Sequence, residues 1–532
     1  MPSELLPDGT GRDERRLHPW SWLFVLLTNL RTVALPAIVL LVFGRGETWA
    51  LYGGIAAIGL ALYSVVYSFG FRYRVGDGEL VVREGIFDRT ERHIPFSRIQ
   101  NVAQRRNPLH RLFGVTELRL ESAGGTEPEA KMSVITVADA AALEQLLRRV
   151  GPTVGAAQSG DTHGSDALPA PEVLLRLPLG ELVRLGIVSN RGMVVVAALI
   201  GGLFQSGNDP RDLPLLRSLW SGMEGFLGEW VQGHGPWELI ASAIVFVVLA
   251  TLSLRLLSIV LAIVRHWNFA LERDGSRIGT EEGLLTRVRA GANASKIQRI
   301  TVEESLLQRL LHRRALRVDI AGSLAAMNEA SGTRLKWLAP IATPARVNAL
   351  IATVTPQLAI ARDDWLPLHP HAWRRLAAVP SVLLLLAAVL GGLVVAVSQG
   401  QAALVDFVPI AGGAWLALSI LVLLRARGWA RFSAYAIDAQ VLAYRSGWLS
   451  RDWRALELSR MQGAVLHCSP LDRRNGMANV AIEVAGTGSM GYSIDIPFLD
   501  RTEAEALLER LIRHAGEYPA PLVPVPGGAT PG

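Results

Sequence analysis

The chain has 532 residues, half of them hydrophobic, a net charge of +6 at pH 7 and a single cysteine, Cys468. A positive mean hydropathy of +0.29 over that length argues against a wholly water-soluble protein and for membrane segments joined to soluble parts. One cysteine excludes an internal disulfide and a thiolate metal cage. The pI of 9.7 does not by itself indicate nucleic acid, because the cytoplasmic flanks of membrane segments are rich in arginine.

In chain order, residues 1–19 read as a polar N-terminus with Arg12, Arg15 and Arg16. Residues 20–70 form a predicted transmembrane hairpin. Trp20–Phe43 is apolar except for Asn29 and Arg31, Thr48–Phe69 is apolar throughout, and each is long enough to span a bilayer. The first segment lacks a clear small-residue cleavage site and reads as an anchor. A soluble unit follows at 71–150, then a Gly/Ala/Ser/Pro-rich linker at 151–171. The second hairpin, 172–265, has predicted spans near Leu185–Phe204 and Trp237–Val264 and a longer external loop at 205–236. Within that loop Leu213–Val231 reads either as a helix on the membrane surface or as an ordinary loop helix. A second soluble unit occupies 266–355. The third hairpin, 356–428, has spans near Leu376–Val397 and Ala402–Leu424, the third soluble unit is 429–516, and 517–532 is a tail expected to be disordered. Arginines crowd one side: Arg72 and Arg74, Arg265, Arg374 and Arg375, and Arg425, Arg427 and Arg431, against Arg45, Arg211 and Arg217 in the opposite loops. Arginine-rich flanks stay inside, so both termini and all three soluble units are expected in the cytoplasm.

The soluble units are copies of one another. Counted from Gly85, Gly283 and Gly447, an arginine recurs four residues on (Arg89, Arg287, Arg451), a serine twelve on (Ser97, Ser295, Ser459), then Arg98, Lys296 and Arg460, then Ile99, Ile297 and Met461. A glutamine recurs fifteen on (Gln100, Gln298, Gln462) and an arginine twenty-six on (Arg111, Arg309, Arg473). Matched positions at fixed offsets in three places define an internal repeat. Upstream of each glycine lies an alternating pattern with a turn at Asp77-Gly78, Asp274-Gly275 or Asp438-Ala439; Asp-Gly suits a two-residue hairpin turn, and Ala439 predicts a different turn in the third copy. Each unit ends in a predicted helix: Asp139–Val150, Pro344–Val354 and Thr502–His514. A Thr502/Glu505 capping box and proline at the first helical position after Thr343 mark two of the starts.

The glycine-led strand, the Ser-[Arg/Lys]-[Ile/Met]-Gln step and the Asn107-Pro108-Leu109…Phe113-Gly114 segment resemble the bacterial PH-like domain of YdbT-type membrane proteins. The resemblance covers nearly the whole chain. Its departures are Leu311-His312 and Asn475-Gly476 where the first copy has Phe113-Gly114. It implies an α+β membrane protein: six transmembrane helices in three hairpins, each followed by a PH-like antiparallel β-sandwich or barrel closed by a C-terminal helix. It also implies the bacterial inner membrane, membrane lipids and a smaller membrane protein with one PH-like domain as partners, and a role in envelope stress or resistance to membrane-active agents.

Two groups of polar residues stand out. Asn29, Arg31, Asn190, Arg191, Arg255 and Asp406 fall inside the apolar segments. A central arginine there costs about 2.5–3.5 kcal/mol on insertion scales, so these residues either line a bundle interior or reach the headgroups, and Arg255 is expected to pair with Asp406. Arg105, Arg106, Arg111, Arg309, Arg313, Arg314, Arg473 and Arg474 make each soluble unit basic near one segment, fitting anionic headgroups at about 1 kcal/mol per residue or a solvated face. The repeated Ser-basic-Ile-Gln step reads as a ligand-binding edge or, preferably, as a strand-to-turn connection, and the three glycines as backbone requirements. No Walker loop, His-Glu-x-x-His step or nucleophile elbow appears, so no catalysis, metal, cofactor or nucleic acid is expected. The chain is expected to be a lipid- or protein-binding platform; the competing class is a transporter or export component, which the apparent lack of broken helices weakens.

Overall fold

In a computed structural model of the chain, the described residues are 15–16, 21–24, 26, 59 and 62, then 71–150 except 77, 85–88, 97–98 and 123–129, then 171–205, 221, 235–320, 335–399, 404–484 and 493–517. Among these residues each repeat contributes seven strands and a closing helix. The first has β1 (Arg15–Arg16), β2 (Arg72–Val75), β3 (Glu79–Glu84), β4 (Thr90–Pro95), β5 (Ile99–Arg106), β6 (Val115–Ser122), β7 (Ala130–Thr136) and helix Val137–Val150. The second has β8 (Glu172–Arg176), β9 (Ala270–Asp274), β10 (Arg277–Glu282), β11 (Arg287–Asn293), β12 (Ile297–Glu304), β13 (Arg314–Ile320), β14 (Trp337–Ala342) and helix Pro344–Val354. The third has β15 (Leu366–Pro367), β16 (Ala434–Ile437), β17 (Val441–Gly447), β18 (Arg451–Glu457), β19 (Met461–His467), β20 (Met477–Val484), β21 (Ile494–Asp500) and helix Arg501–Glu517.

The strands are not confined to their repeats. Their sheet orders are β1-β2-β3-β4, β7-β6-β5-β11-β10-β9-β8, β14-β13-β12-β18-β17-β16-β15 and β19-β20-β21, antiparallel throughout. The two seven-stranded sheets therefore run across repeat boundaries. The chain divides accordingly into two compact units, residues 1–293 with 328–335 and residues 294–327 with 336–532. The middle repeat gives its first four strands to one unit and its last three to the other.

Within the first unit, alternate residues of both sheets close on the helix: Tyr73, Leu80, Val82, Ile94, Leu118, Leu120 and Met132 pack with Ala140 and Leu143. Within the second, Ala478, Val480, Ile482 and Val484 of β20 present one face at a spacing of two. They meet Ala504, Leu507 and Leu511, which share one face of the closing helix. Helix Arg501–Glu517 is capped from Asp500, whose Oδ1 accepts from Thr502 N at 3.0 Å and from its Oγ1 at 2.6 Å; the predicted Thr502 cap is displaced by this earlier carboxylate. Thr343 caps helix Pro344–Val354 as its sequence suggests.

The turns obey local demands. Gly78 and Gly275 take positive φ of 95° and 58°. The third copy does without glycine because Asp438 Oδ1 accepts from Gln440 N and Val441 N at 2.7 and 2.8 Å, an Asx turn. Gly283 and Gly447 have φ of 114° and 133°, and a Cβ there would lie 2.0 Å from Thr286 O or Ser450 O, so each four-residue turn into β11 or β18 admits only glycine.

Among the described residues three helices are long and apolar enough to cross a membrane: Ile240–His266, Ala372–Ser398 and Val408–Phe432. The first predicted hairpin, the linker, the loop helix Leu213–Val231 and the tail lie largely or wholly outside the described residues. The predicted span Leu185–Phe204 is corrected: it is broken at Ser189-Asn190 into helices Leu179–Val188 and Arg191–Gln205. The break is held from helix Pro236–His266. Arg255 donates to Ile187 O, Ser189 O and Asn190 Oδ1 at 2.9, 3.1 and 3.1 Å, and Ser258 Oγ accepts from Gly192 N at 2.9 Å. Gly186 lets the helices touch, since a Cβ there would lie 2.3 Å from Ile259 Cα. Arg255 thus satisfies carbonyls freed by the break; its expected pairing with Asp406 falls on a side chain outside the described residues.

Short strands precede the second and third hairpins and pair with the first strand after them: β8 with β9, from Glu172 opposite Arg273 to Arg176 opposite Ala270, and β15 with β16 at Leu366 opposite Tyr435. Each of these hairpins leaves one sheet and returns to it. Residues 172–176 and 366–367, assigned above to the hairpins, belong to these sheets.

Candidate functional site at the repeat joints

The repeated glycine turn delivers β11 and β18 to the preceding repeat. In the first joint Gln104, Arg105 and Arg106 of β5 stand opposite Arg289, Val288 and Arg287 of β11. In the second, Arg299 to Glu304 of β12 stand opposite Leu456 back to Arg451 of β18. Counted from the repeat glycines the register is the same: the residue at offset twenty-one, Arg106 or Glu304, faces the arginine at offset four, Arg287 or Arg451.

The first joint gathers cations. Arg106, Arg287 and Arg289 line an open hollow of about 160 Å³ with Gln104 and Glu281. Burial holds the Arg106 guanidinium below its ordinary pKa, and repulsion from Arg287 and Arg289 adds to this against the pull of Glu281. Glu281 pairs with Arg287. A second hollow of about 170 Å³ lies alongside, between Arg111, Glu282, Arg287 and Trp267, at the foot of the membrane-competent helix ending at His266. Arg111 donates to Leu284 O at 3.3 Å and Thr286 Oγ1 to Asn107 Oδ1 at 3.1 Å, so the short helix Pro108–Leu112 is fastened across the joint. Arg191 at the helix break donates to His266 Nε2 at 3.3 Å, leaving Nδ1 to donate to Glu282 Oε2 at 2.6 Å. His266 is buried and links the broken helix to the sheet.

The second joint has a carboxylate where the first has Arg106. Glu304 accepts from Arg314 Nε at 2.7 Å, and the Arg314 guanidinium lies 4.5 Å from the Trp453 ring centroid. Arg451 and Arg445 flank Phe432 at 4.3 and 5.3 Å, at the foot of the helix ending there. Burial lowers the Arg451 pKa, with Arg309 and Arg314 adding and Glu304 opposing. Arg460 donates to Ser295 O at 2.7 Å, joining the Ser-basic steps of two repeats.

The basic candidates therefore separate. Arg106, Arg111, Arg309 and Arg314 lie at joints; Arg105 is part-buried beside them. Arg313 donates to Leu311 O and His312 O of its own turn, and Arg473 and Arg474 are exposed on the third copy. Arg89 is exposed on the approach to β4. The serines Ser295 and Ser459 sit on 3₁₀ turns, Ala294–Lys296 and Leu458–Arg460. Gln298 is buried and Gln462 exposed. Gly85, Ser97, Asn29, Arg31 and the Gln100 side chain lie outside the described residues. The left-handed position at offset twenty-nine survives the loss of glycine: His312 takes φ 52° where Gly114 and Gly476 take 64° and 68°. Sequence reasoning missed the arginine at offset four as a joint residue and His266 as a link; only the repetition of Arg287 and Arg451 hinted at the former.

PH-like sheets with a closing helix, repeated and interleaved with membrane-competent helices, define a membrane-anchored PH-like protein. The bacterial PH domain family matches at residues 25–150, 222–352 and 377–515, so the chain belongs to that family, and the second and third matches take in membrane-competent helices together with strands. Among named proteins it is 22% identical over 372 residues to the UPF0699 transmembrane protein YdbT of Bacillus subtilis (strain 168), covering 66% of this chain and 71% of that one. No solved structure matches. The protein is thus a YdbT-like membrane protein with three PH-like repeats.

Proposed function

We propose that the protein is a non-catalytic platform of the bacterial inner membrane whose repeat joints, on the cytoplasmic side, take anionic lipid headgroups. The carrying observation is the cluster of Arg106, Arg111, Arg287 and Arg289 around the hollows beside Trp267, at the foot of a membrane-competent helix. Glu281 and Glu282 line the hollows and Glu272 pairs with Arg289 at 3.7 Å, so among the described residues three carboxylates stand against four arginines, and cations beside an anionic leaflet contribute about 1 kcal/mol each. The return of the second and third hairpins to their own sheets supports one side for these repeats, and the arginine flanks support the cytoplasm. A protein partner with a single PH-like domain and a role in envelope stress follow from the family resemblance. A transport role is the second reading, favoured by the helix break at Ser189-Asn190 and its Arg255 brace.

The test is retention of phosphatidylglycerol and cardiolipin by the full chain in detergent, measured by native mass spectrometry against phosphatidylcholine. Replacing Arg106 and Arg111 by Gln is expected to cut anionic lipid retention severalfold while the melting temperature holds. High salt should erase the difference, since exposed charges are screened beyond about 8 Å at physiological ionic strength. Retention equal to wild type in the folded variant would remove the lipid reading.

A further inference from the structure

We propose that copies of this chain join head to tail through a third joint of the same kind, with β19 of one copy pairing antiparallel to β4 of another. The two internal joints use one pair of elements: the fifth strand of a repeat, β5 or β12, and the fourth strand of the next, β11 or β18. Three repeats in a row leave one of each unused. β4 ends its sheet and β19 ends its own, and among the described residues neither outer edge meets another strand.

Burial records the difference. At offset eighteen Thr301, inside the second joint, is 7% exposed, whereas Val465 on β19 is 38% exposed. At offset eight Ala455, inside the second joint, is buried, whereas His93 on β4 is exposed. The register shared by both internal joints sets the third: Cys468 opposite Arg89, His467 opposite Thr90, Leu466 opposite Glu91, Val465 opposite Arg92, Ala464 opposite His93. No like charges face one another in that register. From Gln462 to Leu466, β19 carries no proline and no charge, the usual guards of an edge strand. The charges of β4 are no obstacle, because β11 pairs while carrying Arg287 and Arg289, and β18 while carrying Arg451, Asp452 and Arg454. Arg473 holds the offset of Arg111, which reaches a carbonyl of the following repeat.

A second copy is the occupant that supplies both missing halves at once. Its membrane helices hold it in the same membrane in the same orientation, so complementary edges meet side by side as a heterologous interface.

The experiment uses the full chain in native membranes. Opposed residues of an antiparallel pair have Cα atoms about 4.5–5.5 Å apart, within disulfide range. Arg89→Cys should therefore cross-link to Cys468 of another copy under mild oxidation. Covalent dimer should exceed wild type by about tenfold, because a held pair reacts at an effective concentration near the millimolar range. Arg89→Cys with Cys468→Ser, and Glu91→Cys, which is out of register, should stay at background. Val465→Lys, which charges the edge without breaking its backbone, should return the Arg89→Cys cross-link to background with an unchanged melting temperature. Background cross-linking by Arg89→Cys, a cross-link that ignores register, or a cross-link to a smaller protein in place of a second copy would each overturn the proposal. Lipid retention by the folded variants is read separately and does not depend on this outcome.

Discussion

The two internal joints share a backbone register and differ in the chemistry placed on it. In the first, three residue pairs meet and Arg106 faces Arg287; in the second, six pairs meet and Glu304 faces Arg451. The second joint is neutralised and packed by Glu304–Arg314 and by Trp453 against Phe432, whose rings lie edge to face at 5.4 Å. The first keeps excess cations around open hollows. One repeated frame thus yields a joint built for cohesion and a joint with charge to spare for a ligand, and the decisive choice is the residue at offset twenty-one.

Exchanging that choice breaks the comparison most sharply. Glu304→Gln leaves Arg314 and Arg451 without their carboxylate, and losing one partner of a buried ion pair costs about 3 kcal/mol. The thermal transition of the detergent-solubilised chain should fall by several degrees. Arg106→Gln should instead leave stability level or raise it by up to about 0.5 kcal/mol, as expected for relief of a partly solvated like-charge contact. Equal destabilisation by both variants would mean that the joints are held by backbone pairing alone.

A smaller effect concerns the turn that precedes β13. His312 holds φ 52° at the place of Gly114 and Gly476, and a left-handed conformation costs a non-glycine residue about 1–2 kcal/mol. His312→Gly should stabilise the chain by about 1 kcal/mol, read as a higher melting temperature, whereas Gly476→His should lower it by a similar amount. No change in either would place compensating contacts at His312.

Much of the fold was legible because its demands are local. Gly283 and Gly447 announce positive φ, Asp274-Gly275 announces a tight turn, and Thr343-Pro344 announces a helix start. The joints were not legible, because β4, β11 and β18 carry the same strand pattern whether or not a partner lies alongside, and that partner is 147 to 185 residues distant in sequence. The helix break was hidden for a related reason: averaged hydropathy runs through Ser189-Asn190, and the donor that makes the break tolerable, Arg255, sits on another helix. The basic positions were found, but their separation into joint and exposed residues needed the register.

The smallest expected effect is a pH response confined to the second joint. Glu303 stands directly opposite Asp452, two carboxylates on neighbouring strands. Burial raises the pKa of Glu303 above its ordinary value, Arg317 opposes this and Asp452 adds to it; burial likewise raises Asp452 against the pull of Arg454. A carboxyl with a raised folded pKa binds its proton more tightly in the folded chain than in the unfolded one. Folding is then favoured as pH falls through the folded value toward the unfolded one, and stability is lost as pH rises through that window. The melting temperature should therefore climb modestly between neutral pH and about pH 5, just above the ordinary carboxylate range. The double replacement Glu303→Gln, Asp452→Asn should flatten that slope while raising stability at neutral pH. The first joint, where Arg105 faces Val288 at the same offsets, has no such pair, so replacing Arg105 by Gln should leave the slope intact. A slope that persists in the double variant would assign the response to other carboxyls, with Asp495, also raised by burial, the next to replace.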